Sequence, residues 1–277
     1  MRHLRDCRFL LFGAAILVGC NDGDRGATGP DRDAGAMDLL AQPDQPAVAD
    51  ADSVRVVRAS GDIAGAVSEF RTLLGTLNPT LPGEQPGGRR EVNWDNVPLE
   101  LTRNDFFPGD FFNVVSPRGL LLTTDGPAFH ISDIGFIEVN PAYFLEFRAF
   151  SPRRLLVARG STTIDVRFVV AGSSTPALVT GFGSVFADVG LPASTTVEYF
   201  DAAGVQLLKI VVPRRSDDRG LSFAGATFPS AVVARVRITA GDTPIGDSVF
   251  DDVKVPGETH DIVAMDDFIY GEPRAGN

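Results

Sequence analysis

The residues best equipped for chemistry are acidic and lie late in the chain. Asp242, Asp247, Asp251, Asp252, Glu258 and Asp261 crowd one stretch, and Asp266-Asp267 follow. Ca²⁺ takes carboxylate and carbonyl oxygens, commonly from loops. Asp188, just after a strand-like run, is a further candidate. Asp188, Asp266 and Asp267 are therefore the candidate Ca²⁺ ligands, with Ca²⁺ the one cofactor the sequence suggests. No fixed ligand spacing such as an EF-hand loop is present, and the same Asp residues serve as turn caps in a solvated loop. In a strand, Asp266 and Asp267 point to opposite faces, and the inward one needs a metal or an Arg, with Arg235 or Arg237 as candidates.

Sugar binding draws on aromatic faces. Trp94, Tyr143, Tyr199 and Tyr270 are the only Trp and Tyr residues. Trp94, beside Asp95 and Asn96, is the candidate ligand-binding platform; a Trp at a strand end is otherwise a core or edge residue. Glycoside hydrolysis needs two carboxylates about 5–10 Å apart, and 36 acidic residues neither mark nor exclude such a pair. A Ser-His-Asp site is poorly supported. Beyond residue 20 the histidines are His130 and His260, and there is no Gly-x-Ser-x-Gly elbow. Zinc-type His or Cys pairs are absent from the sequence. Gly181-Phe182-Gly183 lacks the third glycine of a dinucleotide loop. No catalytic residue is assigned.

The N-terminus addresses location. Arg2, Arg5 and Arg8 precede an apolar run, Phe9 to Val18, which is the pattern of a secretory signal. About 10 residues reach roughly 15 Å as a helix, short of a ~30 Å hydrocarbon core. The run ends in Leu17-Val18-Gly19-Cys20. This resembles the lipobox of bacterial lipoproteins, and the resemblance implies cleavage before Cys20 and lipid on its sulfur. The other of the 2 cysteines, Cys7, falls inside the signal, so the processed chain is expected to hold neither free thiol nor disulfide. The formal charge is −11, and residues 1–19 carry three Arg and one Asp, so processing makes the chain more acidic still. A surface so acidic argues against nucleic acid and against a polybasic grip on lipid.

These candidates need elements to position them. Asn21 to Asp52 lacks aromatics and is rich in Asp, Ala, Gly and Pro, a composition expected to form a disordered tether of roughly 30 Å reach. Val54 to Val57 suggests a short strand. Ile63, Val67, Phe70 and Leu74 recur at helical spacing between Ser60 as N-cap and Gly75 as stop. Asn78 to Gly88 is a Pro/Gly-rich connection. Strand patterns then follow over Glu91–Asp95, Gly119–Thr124, Ala128–Ile134, Phe144–Phe150, Arg153–Ala158, Ile164–Val170 and Ala177–Val189, the last with a bulge at Gly181 or Gly183. Thr195–Phe200 and Gln206–Val212 flank a hairpin turn at Asp201–Gly204, and Leu221–Phe228, Val232–Thr239 and Ile262–Tyr270 complete the set. Many short strands without βα alternation predict an all-β antiparallel sandwich with one short N-terminal helix.

"GFGSVFADV" (Gly181–Val189), "TTVEYFDAAGVQL" (Thr195–Leu207), "LSFAGATF" (Leu221–Phe228), "ARVRITAG" (Ala234–Gly241) and "DIVAMDDFIYGEP" (Asp261–Pro273) come in this order. With "GRREVNWDNVP" (Gly88–Pro98) and "FFNVVSPRGLLLTT" (Phe111–Thr124), the series resembles the exported jelly-roll domains of PEP-CTERM-type proteins, largely uncharacterised. The likeness covers roughly residues 88 to 273 and implies a jelly-roll sandwich, with no established activity. Lipid on Cys20 would replace the C-terminal anchor of that type.

The expected organisation is a signal (1–19), a lipidated tether (20–52), a strand, helix and connection (53–87), the sandwich (88–273) and a tail (274–277). The expected function is that of a membrane-tethered, non-catalytic cell-envelope lipoprotein, at the outer membrane or cell surface rather than the inner membrane. It would act as a binding or structural module, with a glycan or cell-surface polymer as candidate partner. The alternative is a glycoside or polysaccharide hydrolase with an unmarked carboxylate pair.

Overall fold

The computed structural model describes residues 53–215, 219–255 and 258–276. The expected signal, Cys20 and the tether lie outside them. Among the described residues no helix is long and apolar enough to cross a membrane.

The chain opens with β1 (Arg55–Ser60), α1 (Ala64–Leu74), β2 (Arg89–Val92) and a four-residue helix, α2 (Phe111–Val114). Next come β3 (Leu120–Thr124), β4 (Ala128–Ser132), β5 (Leu155–Arg159), β6 (Thr163–Phe168), β7 (Ala177–Leu178) and β8 (Gly181–Ala187). β9 (Thr196–Phe200), β10 (Gln206–Val211), β11 (Leu221–Thr227) and β12 (Arg235–Thr239) follow. The last are β13 (Asp252–Val255), β14 (Glu258–His260), β15 (Ala264–Gly271) and β16 (Arg274–Ala275).

The larger sheet runs β1-β11-β8-β15-β5-β4, and the smaller β10-β9-β12-β6-β3. Apart from the β9–β10 hairpin, the chain changes sheet at each step through β5, β6, β8, β9, β10, β11, β12 and β15. With β5-β15-β8-β11 facing β6-β12-β9-β10, this is the winding of an eight-stranded jelly roll. The expected all-β sandwich is what the chain forms.

Strand alternation explains the two cores. β6 and β12 bury every second residue, among them Val166, Phe168, Val236 and Ile238. These meet Phe182, Phe186, Ala224 and Phe268 of the larger sheet. The other face of that sheet is covered by Val67, Phe70 and Leu74 of α1, packed with Val185, Phe223 and Ile269. β8 and β11 are therefore buried on both faces. Phe70 needs room there, and Gly183 paired with Gly225 supplies it. A Cβ on either glycine would come within 2.8 Å of the Phe70 ring. The expected bulge at Gly181 or Gly183 is thus corrected, since the β8–β11 register runs unbroken from Gly181 to Ala187.

Other boundaries differ for local reasons. Ser60 is not the cap of α1, because it belongs to β1 and pairs with Ser222; Asp62 instead accepts from the Ala64 N–H at 3.2 Å. Gly75 does end the helix, at φ 89°, with its N–H on the Arg71 and Thr72 carbonyls. The strand expected over Phe144–Phe150 does not form. A 3₁₀ turn over Pro141–Tyr143, capped by Asn140, precedes it, and Leu145 sits at φ 69°. The run Ala177–Val189 divides into β7 and β8, and the acidic stretch contains the β13–β14 hairpin.

Candidate functional site

β15 changes partners along its length. Met265 pairs with Leu156 of β5, whereas Phe268 to Gly271 pair with β2. The register slips between Met265 and Phe268, so Asp266 and Asp267 form a bulge. Both are buried, which corrects the expectation that one points outward. Arg235 and Arg237 are not their partners; those guanidiniums hold Asp165 at 2.7–2.9 Å. The Asp266 carboxylate accepts from the Phe150 and Ser151 N–H groups at 2.6 and 3.0 Å and from Ser151 Oγ at 2.9 Å. Asp267 Oδ2 accepts from Arg71 Nη2 at 3.1 Å. Burial, then the Asp267 charge, pushes the Asp266 carboxyl up to about 8. Burial raises Asp267 as well. Glu91 goes the other way, because Arg71 and Arg89 outweigh its desolvation and hold it below the usual carboxylate range.

Trp94 belongs to this bulge. Its Nε1 donates to the Asp266 carbonyl at 2.7 Å, satisfying backbone that the slipped register frees. Its ring stacks edge-on against Phe107, Phe112 and Phe268 and is fully buried. The proposed sugar platform at Trp94 is thereby corrected, since no face of the indole reaches solvent.

Beside the bulge lies a cleft of about 330 Å³. Its frame is a buried ion pair. Arg90 Nε and Nη2 each reach Glu272 at 2.7 Å. Nη1 of the same guanidinium caps the carbonyls of Pro79, Leu81 and Pro117 at 2.9–3.2 Å. Glu272 also takes the Asn78 amide at 2.8 Å and the Gln85 N–H at 3.1 Å. One strand residue thus pins the Pro/Gly-rich connection that forms a wall of the cleft. Other lining residues are Asn93, Asn96, Arg118 and Phe150. Arg118 is half-buried, lies 5.2 Å over the Phe112 ring and donates through Nε to Thr80 Oγ1 at 3.3 Å. Burial lowers its pKa, and the charge of Arg90 adds to the effect.

The three Ca²⁺ candidates do not converge. Asp188 lies apart from Asp266 and Asp267, in a group with Glu146 and Asp251. Facing oxygens of this buried triad lie within 4.8 Å of one another, a spacing one cation can span. Glu146 escaped sequence reading because its neighbours look like a strand. Asp188, directly after β8, sits in the left-handed region at φ 68°. Elsewhere in the acidic stretch the carboxylates cap turns. Asp261 accepts from the Gly190 N–H at 2.7 Å and from Ser194, and Asp242 accepts from the Asp261 N–H at 2.8 Å. Of the two histidines among the described residues, His130 is held between Asp105 at 2.7 Å and Glu138 at 3.1 Å.

No protein-family model matches this chain, and no curated protein matches it. Among solved structures, TmCBM61 in complex with beta-1,4-galactotriose is 12% identical, over 61% of this chain and 94% of that one, with a TM-score of 0.26. The enzymatically active domain of tailspike protein 4 from bacteriophage CBA120 is also 12% identical, over 50% of this chain and 20% of that one, with a TM-score of 0.17. Both scores are too low for either likeness to bear on what this chain binds.

Proposed function

We propose that the chain is a lipid-tethered, non-catalytic module of the cell envelope whose cleft binds a saccharide or cell-surface polymer. The observation that carries the binding half is the set of uncommitted polar groups on one cleft. Among the described residues the Asn93 and Asn96 amides and the Arg118 Nη atoms make no hydrogen bond, and all three residues line the same 330 Å³ space. Sugars are recognised by hydrogen bonds from amide and guanidinium groups. The tether half is supported by the signal pattern and Leu17–Cys20. It favours the outer membrane or cell surface.

A glycan array and a cell-wall pull-down with the full chain test the binding; silence on both removes it. For the tether, Cys20→Ser is expected to move the protein from the membrane to the soluble fraction. Continued membrane association contradicts the anchor.

One observation favours a second reading, a glycoside hydrolase. Asp267 has a raised pKa and Glu91 a lowered one, both border the cleft, and both reach Arg71 Nη2, at 3.1 and 2.8 Å. Opposed shifts of this kind mark acid and base pairs. Against it, Asp267 is almost fully buried, with Oδ2 held by Arg71 and Oδ1 sealed from solvent. Its proton therefore cannot reach a substrate unless that side chain swings away. Turnover of a polysaccharide panel that Asp267→Asn abolishes would establish the hydrolase.

A further inference from the structure

We infer that Arg118 is a subsite for the carboxylate of an acidic sugar, so that the saccharide taken by the cleft carries uronic acid. This rests on the saccharide reading above and names its substrate class.

The charges around the cleft pair off with one left over. Arg71 and Arg89 are matched by Glu91 and Asp267, and Arg90 by Glu272. Among the described residues Arg118 has no carboxylate within ion-pair distance. The electrostatic neighbours of its guanidinium are the Tyr270 phenol and the like charge of Arg90. A half-buried cation without a counter-ion is costly, and proteins usually pair such groups. Among the described residues the carboxylates at the cleft, Glu91, Asp267 and Glu272, are each taken by another guanidinium.

The side chain is held in one orientation, by Thr80 through Nε and by the Phe112 ring beneath it. Neither Nη atom is sealed from solvent without a partner. Arg118 lines the cleft, so its two Nη groups are a fork open to an anion there. A fork of this kind matches the two oxygens of a planar carboxylate. The free Asn93 and Asn96 amides on the same wall suit hydroxyl groups, which a uronic acid also carries.

The test is calorimetric titration of the full chain, in detergent, with an oligogalacturonate, with its carboxyl-reduced neutral counterpart and with polyglutamate. The expected result is that the oligogalacturonate binds about tenfold or more tightly than the neutral form, charge-assisted bonds being roughly twice as strong as neutral ones. Arg118→Gln should abolish that preference, weakening the acidic ligand about tenfold or more and the neutral one by much less. Asn96→Asp, at an exposed position, should weaken the acidic ligand more than the neutral one, and it carries the test if Arg118→Gln fails to fold. Equal binding of both sugars, insensitive to both variants, overturns the carboxylate subsite while leaving the saccharide reading standing. Binding of neither sugar overturns both. Binding of polyglutamate as tightly as the oligogalacturonate overturns the sugar assignment and leaves an anion site.

Discussion

Arg90 and Arg118 line the same cleft and are treated in opposite ways. Arg90 is almost wholly buried, forked onto Glu272 and surrounded by carbonyls. Arg118 is half-buried, with a hydroxyl and a ring for company. The first arrangement is complete, and its removal would leave a buried carboxylate uncompensated. The second is incomplete as it stands and gains only when something anionic arrives. The contrast teaches that a guanidinium's role is read from what its nitrogens face rather than from its position in the fold.

The largest effect should come from breaking the complete pair. Arg90→Met leaves Glu272 buried and unpaired, which costs about 3–5 kcal/mol. For a domain of this size that lowers the thermal midpoint by roughly 10 °C. Arg90→Met combined with Glu272→Leu should recover most of the loss, because the orphaned charge is gone. Calorimetric melting checks both, and an unchanged midpoint for Arg90→Met would dissolve the contrast.

A smaller effect belongs to the bulge that supports the cleft. Asp266 binds its proton up to about pH 8 when folded, whereas an unfolded Asp releases it near 4. Between those values the native state holds more protons than the unfolded one, so stability falls as pH rises. The slope is at most about 1.4 kcal/mol per pH unit. Above about pH 8 Asp266 adds no further slope. Asp266→Asn mimics the neutral form and should flatten the profile over that window. Denaturant unfolding at several pH values reads this directly, and a slope unchanged in the variant would show that another group titrates.

The smallest stability effect is expected at Arg118. Arg118→Gln forfeits a ring contact and a long hydrogen bond but also a desolvated charge beside Arg90. Its stability should stay within about 1 kcal/mol of the parent. A loss as large as that of Arg90→Met would mean that Arg118 is structural after all.

Much of the architecture was legible in the sequence, and the site was not. Alternation in Ile164–Phe168 and Arg235–Thr239 gives β6 and β12 because the smaller sheet has one face in water and one in the core. The helical spacing of Val67, Phe70 and Leu74 reads true because one stripe packs on the larger sheet. Trp94 misleads because its partner is a backbone carbonyl 172 residues away, freed only by the register slip. The Asp266-Asp267 pair is visible as a motif, but its cation is Arg71 on a helix, which strand periodicity does not reveal. Glu272 and Arg90 lie 182 residues apart and meet only because β2 pairs with the end of β15. Arg118 has no motif at all, since its meaning lies in a carboxylate that is missing around it.

The central claim is that this cleft is where a saccharide binds. Hydrogen–deuterium exchange of the full chain, in detergent, with and without an oligogalacturonate, tests it most directly. The account predicts slowed exchange at residues 77–80, 93–96 and 116–119, with the rest of the sandwich unchanged. Protection elsewhere alone, or none at a saturating concentration, would contradict it.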